Sequence, residues 1–134
     1  MVLWSGRESL RLSIPMTDYR SEAPAIIRDF LTYHETIQGH SHKTVDEYYL
    51  DLRNFFRYIK LEKNRVPRTT ELDDIPIDDV DLDLIRSVRL SDIYAYMSFL
   101  SRDRLRNAKR PDAGYGLQAS TRARKVATIR SFYK

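Results

Sequence analysis

From Glu22 onward, apolar positions recur at helical spacing. Ala23, Ile26, Ile27, Phe30, Leu31, His34 and Ile37 fall three and four residues apart, which predicts one helix face. Pro24 suits a first turn, and Gly39 is a natural stop. The next run is the clearest: in "SHKTVDEYYLDLRNFFRYIK" (41–60), Val45, Tyr48, Tyr49, Leu52, Phe55, Phe56 and Ile59 make one broad stripe. Ser41 reads as its N-cap, with Thr44 and Glu47 as an alternative capping box. The pattern then breaks at Pro67, Pro76 and "DDIPIDDVDLD" (73–83), which predict a long connection with a short helix near 82–88. A third helix starts near Leu90 and Ser91, with Leu90, Ile93, Tyr94, Met97 and Leu100 as its expected buried face. "NAKRPDAGYG" (107–116) reads as a loop, after which Ser120 caps a fourth helix running to the end. No strand-like alternation and no internal repeat is visible. The expected class is all-α: four main helices, with an acidic loop between the second and third that is longer than compact bundles normally carry. Residues 1–18 show little periodicity and are expected to form a flexible extension, with Met16 as an alternative initiator; 19–134 is expected to be one domain.

Composition narrows the function classes. Hydrophobic content of 42% with 31% charge fits a globular chain and is too apolar for intrinsic disorder. No apolar run approaches the roughly 18 residues a membrane span needs, so no membrane partner is expected. Arg7, Glu8 and Arg11 interrupt any signal-peptide core. The absence of cysteine excludes disulfides, thiol nucleophiles and zinc–thiolate sites, and suits a cytoplasmic location.

Charge changes the picture more. The net value is +4, but residues 69–92 hold two Lys or Arg against eight Asp or Glu, while 93–134 hold ten against two. Such asymmetry points to a polyanionic partner. On a helical wheel at about 100° per residue, Ala123, Val126, Ala127, Ile129, Phe132 and Tyr133 gather on one side of the fourth helix. Thr121, Arg124, Lys125, Thr128 and Ser131 gather on the other, with Arg122 and Arg130 at the edge, where long stems pack and charged heads reach out. The helix contains no acid, and it mixes cations with short hydroxyls. That combination suits a phosphate backbone, because cations displace counterions while hydroxyls donate to phosphate oxygens. Lys43 and Thr44, in the first turn of the second helix where free N–H groups favour anions, complete the candidate surface. A basic helix C-terminus favoured by the macrodipole explains Lys134, but not cations in the first turn.

Other chemistry does not assemble. His34, His40 and His42 lack a further ligand that would complete a metal site, and read as solvated or DNA-facing. Asp79, Asp81 and Asp83 alternate like the start of a calcium loop, but the sixth position is Leu84 rather than Gly and the twelfth is Leu90 rather than Glu. The acidic 71–83 stretch therefore reads as a solvated loop, or as a charge-matched contact to a basic neighbour. Tyr48, Tyr49, Tyr94 and Tyr133 fall on expected apolar faces and read as core. No phosphate loop, nucleophile elbow or paired carboxylates are present, so no cofactor, small-molecule substrate or catalytic residue is expected.

Two patterns in order carry a family resemblance: Ser–x–x–Thr–x–x–x–Tyr–x–x–Asp–Leu–x–x–Phe from Ser41 to Phe55, and Ser–x–x–x–Arg…Ile–Arg–Ser–Phe–Tyr from Ser120 to Tyr133. From about Tyr19 to Lys134 the chain resembles the N-terminal core-binding domain of tyrosine recombinases, the phage-integrase and Xer-like family. The resemblance implies an orthogonal, SAM-like four-helix bundle forming half of a clamp around duplex DNA for recombination and integration. It places the second and fourth helices against the major groove, by position at Lys43, Thr44, Thr121, Arg124, Lys125 and Thr128. It also implies other recombinase protomers as partners and a separate domain with the catalytic set and tyrosine nucleophile. No His–x–x–Arg motif occurs in these residues, so no catalytic residue carries over, and the expectation is a non-catalytic N-terminal piece of a recombinase. The alternatives are a helical protein-interaction module using the basic helix on an acidic partner, and a helix-turn-helix regulator, which the long loop before the fourth helix disfavours.

Overall fold

The structure, a computed structural model, describes residues 19–106 and 119–134; the expected extension 1–18 and the loop 107–116 lie outside the described residues. The described residues are helical and contain no strand: α1 (Tyr19–Glu22), α2 (Ala25–Thr32) continuing as a π-helical turn (Tyr33–Ile37), α3 (His42–Glu62), a 3-10 turn (Leu72–Asp74), α4 (Leu82–Ser87), α5 (Leu90–Arg106) and α6 (Ala119–Tyr133). The all-α class and the short helix inside the long connection follow the periodicity.

The first expected helix is divided. Pro24 has no N–H to give and stands in extended conformation as the N-cap of α2, so α1 and α2 are separate. The π-helical turn ends at Gly39, whose φ of +72° is a left-handed conformation that a side chain disfavours. Ser41 Oγ then accepts the Thr44 N–H at 3.2 Å and starts α3.

α3 is the axis of the molecule, touching α2, the 3-10 turn, α5 and α6. Its stripe of Val45, Tyr49, Leu52, Phe55, Phe56 and Ile59 is buried, but so are Tyr58, Asp51 and Lys60 on its flanks. The acidic connection explains part of this. Ile75, Ile77 and Val80 are buried, and Lys60 Nζ donates to Pro76 O and to Asp79 Oδ1, both at 2.6 Å. The stretch is thus not a solvated loop but an insert docked on α3, and the charge-matched contact is the arrangement found. Ile77 and Val80 join the core that the α3 stripe lines, and their burial supplies the hydrophobic gain, on the order of 1.5–3 kcal/mol for each.

The face of α5 also departs from expectation. Tyr96 and Leu100 are buried, with Ile93, Met97 and Phe99 packed beside them, whereas Leu90 and Tyr94 are 62% and 65% exposed. The reason is aromatic. Tyr96 lies 5.2 Å, centroid to centroid, from both Phe55 and Tyr58, and Phe99 lies 5.1 Å from Tyr58. Large rings bury more area than the Leu90 and Tyr94 face does and so set the rotation of the helix. Tyr133 is likewise part-exposed rather than core, and its hydroxyl donates to Ile85 O at 2.8 Å.

Candidate nucleic-acid interface

Three of the expected DNA-facing residues of α6, Arg124, Lys125 and Thr128, are brought together, but by a protein carboxylate. Asp51, on α3, is 1% exposed. Its Oδ2 accepts from Arg124 Nη1 at 2.7 Å and from Thr128 Oγ1 at 3.0 Å, while Oδ1 accepts from Lys125 Nζ at 2.9 Å. A buried carboxylate needs such partners because leaving it uncompensated costs several kcal/mol. Three residues of α6 within two turns satisfy it.

This pins α6 about a third of a turn away from the wheel-based orientation. Thr128 and Ile129 are buried, Thr121, Arg122, Lys125, Val126, Ser131 and Phe132 are half-buried, and Ala123 and Ala127 face solvent. Thr128 therefore points inward, contrary to the sequence-based expectation, and Lys125 keeps only 12% of its side chain exposed against 41% for Arg124. The physical reason is that alanines gain little from burial, so they orient a helix weakly. Asp51 and the aromatic contact of Phe132 with Phe56, 5.8 Å between centroids, orient it strongly.

The exposed residues of α6 are instead Ser120, Ala123, Arg124, Ala127, Arg130 and Tyr133, with Lys134 exposed just beyond its end. Arg130 and Lys134 are thus surface cations missing from the sequence-derived set. The sequence carried no signal for them, because only the burial of Asp51 turns Thr128 and Ile129 inward and leaves these two cations on the far side. Lys43 is exposed and Thr44 half-buried in the first turn of α3, where Thr44 Oγ1 takes a hydrogen bond from Ser41 Oγ at 3.1 Å. Because α6 meets Asp51 first and Phe56 near its end, α3 and α6 run in the same sense along this contact.

The other end of α3 is different in charge. Arg53 faces Glu22 at 3.8 Å, Arg57 faces Asp73 at 3.8 Å, Lys60 faces Asp79 at 2.6 Å, Lys63 faces Asp92 at 3.3 Å and Arg65 faces Asp81 at 4.0 Å. A cleft of about 410 Å³ there mixes Arg53 and Arg57 with Glu22, Asp73, Asp74 and Asp78. Arg57 is held below its usual pKa, first by burial and then by the neighbouring Arg53 charge. The acidic insert thus pairs with Arg57 and Lys60 of α3, and Glu22 and Asp92 meet Arg53 and Lys63 beside them, whereas α6 carries no acid.

The histidines do not converge on a metal. His42 Nδ1 meets Glu35 at 2.8 Å, and His34 packs against His40 at 5.3 Å between centroids. Among the described residues, no group of three or more His, Asp or Glu side chains is placed to hold an ion. Asp81 serves as the N-cap of α4, accepting the Leu84 N–H at 2.9 Å. No helix among the described residues is long and apolar enough to cross a membrane.

Comparison with known proteins supplies the lineage. The chain is 43% identical over 110 residues, 82% of its length, to tyrosine recombinase XerC of Caldanaerobacter subterraneus subsp. tengcongensis. The segment is homologous to the Xer-like tyrosine recombinases. The match spans 28% of that recombinase, so the chain corresponds to little more than a quarter of its curated relative. No family model and no solved structure matches the chain.

Proposed function

We propose that this segment is the DNA-binding, core-binding domain of a site-specific tyrosine recombinase, a SAM-like bundle that forms half of a clamp on duplex DNA in the cytoplasm. The observation that carries the reading is the segregation of charge: α6 and the residue after it expose Arg124, Arg130 and Lys134 around two alanines, with no carboxylate of α6's own, while the acidic insert pairs with Arg57 and Lys60 of α3. Small side chains between cations let a phosphate backbone or a groove edge approach the helix closely. Lys43 and Thr44 at the start of α3 and Thr121, Arg122 and Arg124 at the start of α6 are the proposed flanking contacts. Lys125 and Thr128, drawn onto Asp51, act from behind the surface. The segment itself contributes binding. Transesterification by a tyrosine, and assembly with other protomers on paired sites, belong to the remainder of the whole recombinase.

The test is fluorescence anisotropy on a duplex of ~30 base pairs between ~50 and ~200 mM salt. Binding whose log affinity falls against log salt with a slope of about 0.9 per phosphate contact is expected, with Arg130→Ala weaker and shallower in slope. Lys63→Ala, which removes an already paired cation, should change little. Equal losses from Lys63→Ala and Arg130→Ala would defeat the proposed surface. A protein-interaction module would show no duplex binding even at low salt.

A further inference from the structure

The buried Asp51 carboxylate poses a question of sign. A carboxylate directly beneath a DNA-binding helix lowers the local positive potential, so for a surface governed by net charge it is a defect. Yet Asp51 is one of the most buried side chains, and all three of its hydrogen-bond partners come from α6. We propose that Asp51 is the positioning residue of the DNA-binding face, holding Arg124 in its bound orientation before DNA arrives; this rests on the DNA-binding reading above.

The geometry assigns different tasks to its partners. Lys125 is a point charge almost wholly enclosed and is used up in neutralising Asp51. Arg124 commits one guanidinium nitrogen, Nη1, and with 41% of its side chain exposed keeps other N–H donors in reach of solvent. A planar fork anchored at one corner presents the rest in a fixed orientation, which a free surface arginine does not do. Ordering a long side chain costs roughly 0.5–1.5 kcal/mol when binding must do it. With Asp51 in place, folding has already met that cost. Thr128, buried and neutral, donates to the same Oδ2 as Arg124 and steadies the carboxylate without any contact of its own with DNA.

Charge-matched variants separate positioning from electrostatics. Asp51→Asn removes one negative charge from the fold. Glu47→Gln removes one from an exposed position one turn earlier on the same helix. Duplex binding is measured by anisotropy on the same ~30-base-pair probe, with folding followed by circular dichroism. Glu47→Gln is expected to bind as well as wild type or slightly more tightly. Asp51→Asn is expected to bind about three- to tenfold more weakly despite its added positive charge, the range that re-ordering one arginine implies. Its salt slope should stay close to that of the wild type, because Arg124 still makes its contact once the ordering cost is met. Partial unfolding alone would lower the binding-competent fraction and show as lost helical signal in circular dichroism, which a change of positioning does not produce. Thr128→Val keeps the charge, and is expected to weaken binding about twofold, at the low end of the same range; it decides the matter if Asp51→Asn does not fold. Asp51→Asn binding as tightly as Glu47→Gln, or Thr128→Val indistinguishable from wild type, would overturn the positioning role while leaving DNA binding intact. Absence of wild-type binding at any salt would overturn the DNA-binding reading itself, and the positioning role with it.

Discussion

Lys125 shows how far a side chain's role depends on what lies beneath it. In the sequence it is one more cation on a basic helix, and its replacement together with Arg124 should leave the fold untouched. In the structure its ammonium lies 2.9 Å from a carboxylate that is almost wholly buried. Removing one partner of a buried charge pair costs about 3–5 kcal/mol when nothing else compensates. Arg124 and Thr128 remain on Asp51, so Lys125→Ala is expected to cost about 2 kcal/mol, read as a lower urea midpoint with an unchanged slope. The Lys125→Ala, Asp51→Asn double variant should recover part of that loss, because it removes the stranded charge along with its partner. Simple additivity of the two single losses would argue against the pairing.

The insert makes the corresponding point for elements. Read as a string, "DDIPIDDVDLD" is a run of carboxylates broken by prolines, and its polarity suggests a solvated loop. Its three aliphatic residues at 75, 77 and 80 carry the outcome, since all are buried while the aspartates between them stay outside. Ile77→Ala should cost about 2–5 kcal/mol, the usual range for emptying a packed core position. It should also make residues 66–81 the first site of limited proteolysis, because the ion pairs of Asp73, Asp79 and Asp81 cannot hold the segment down without its packing. Proteolysis that began elsewhere, with stability intact, would show that the ion pairs rather than the packing hold the insert. α6 obeys the same logic in reverse: it has a weak apolar face, and a polar contact sets its rotation.

For the whole molecule, α2, the π-helical turn, α3 and α6 converge on one aromatic knot. His34 lies 4.4 Å from Phe30, 5.2 Å from Tyr48 and 5.3 Å from His40 between ring centroids, and Phe30 lies 5.4 Å from Phe132. Burial, and then the nearby His40, hold the His34 imidazole below its usual pKa of 6.5, and its Nδ1 has no hydrogen-bond partner among the described residues. The unfolded chain therefore takes up this proton at a higher pH than the folded one. Stability due to His34 is full above its usual pKa and falls as the pH drops below it. Urea midpoints should decline from pH 7.5 to pH 5.5, and His34→Phe should flatten that decline. An equally steep decline in the variant would place the titration elsewhere.

The residues by themselves determined the helical class, the α3 stripe from Val45 to Ile59, the Ser41 cap, the stop at Gly39 and the concentration of positive charge towards the C-terminus. Those features are local: spacing, capping chemistry and composition act within a few turns and need no partner. The rotation of α5 and α6, the docking of the acidic insert and the sorting of cations into free and neutralised sets needed the tertiary structure. Each depends on a residue far away in sequence: Asp51 for Arg124, Lys125 and Thr128; Lys60 for Asp79; Phe55 and Tyr58 for Tyr96. A helical wheel treats every alanine as apolar and every arginine as free. Only packing reveals that a buried carboxylate gains more from two cations and a hydroxyl than alanines gain from leaving water.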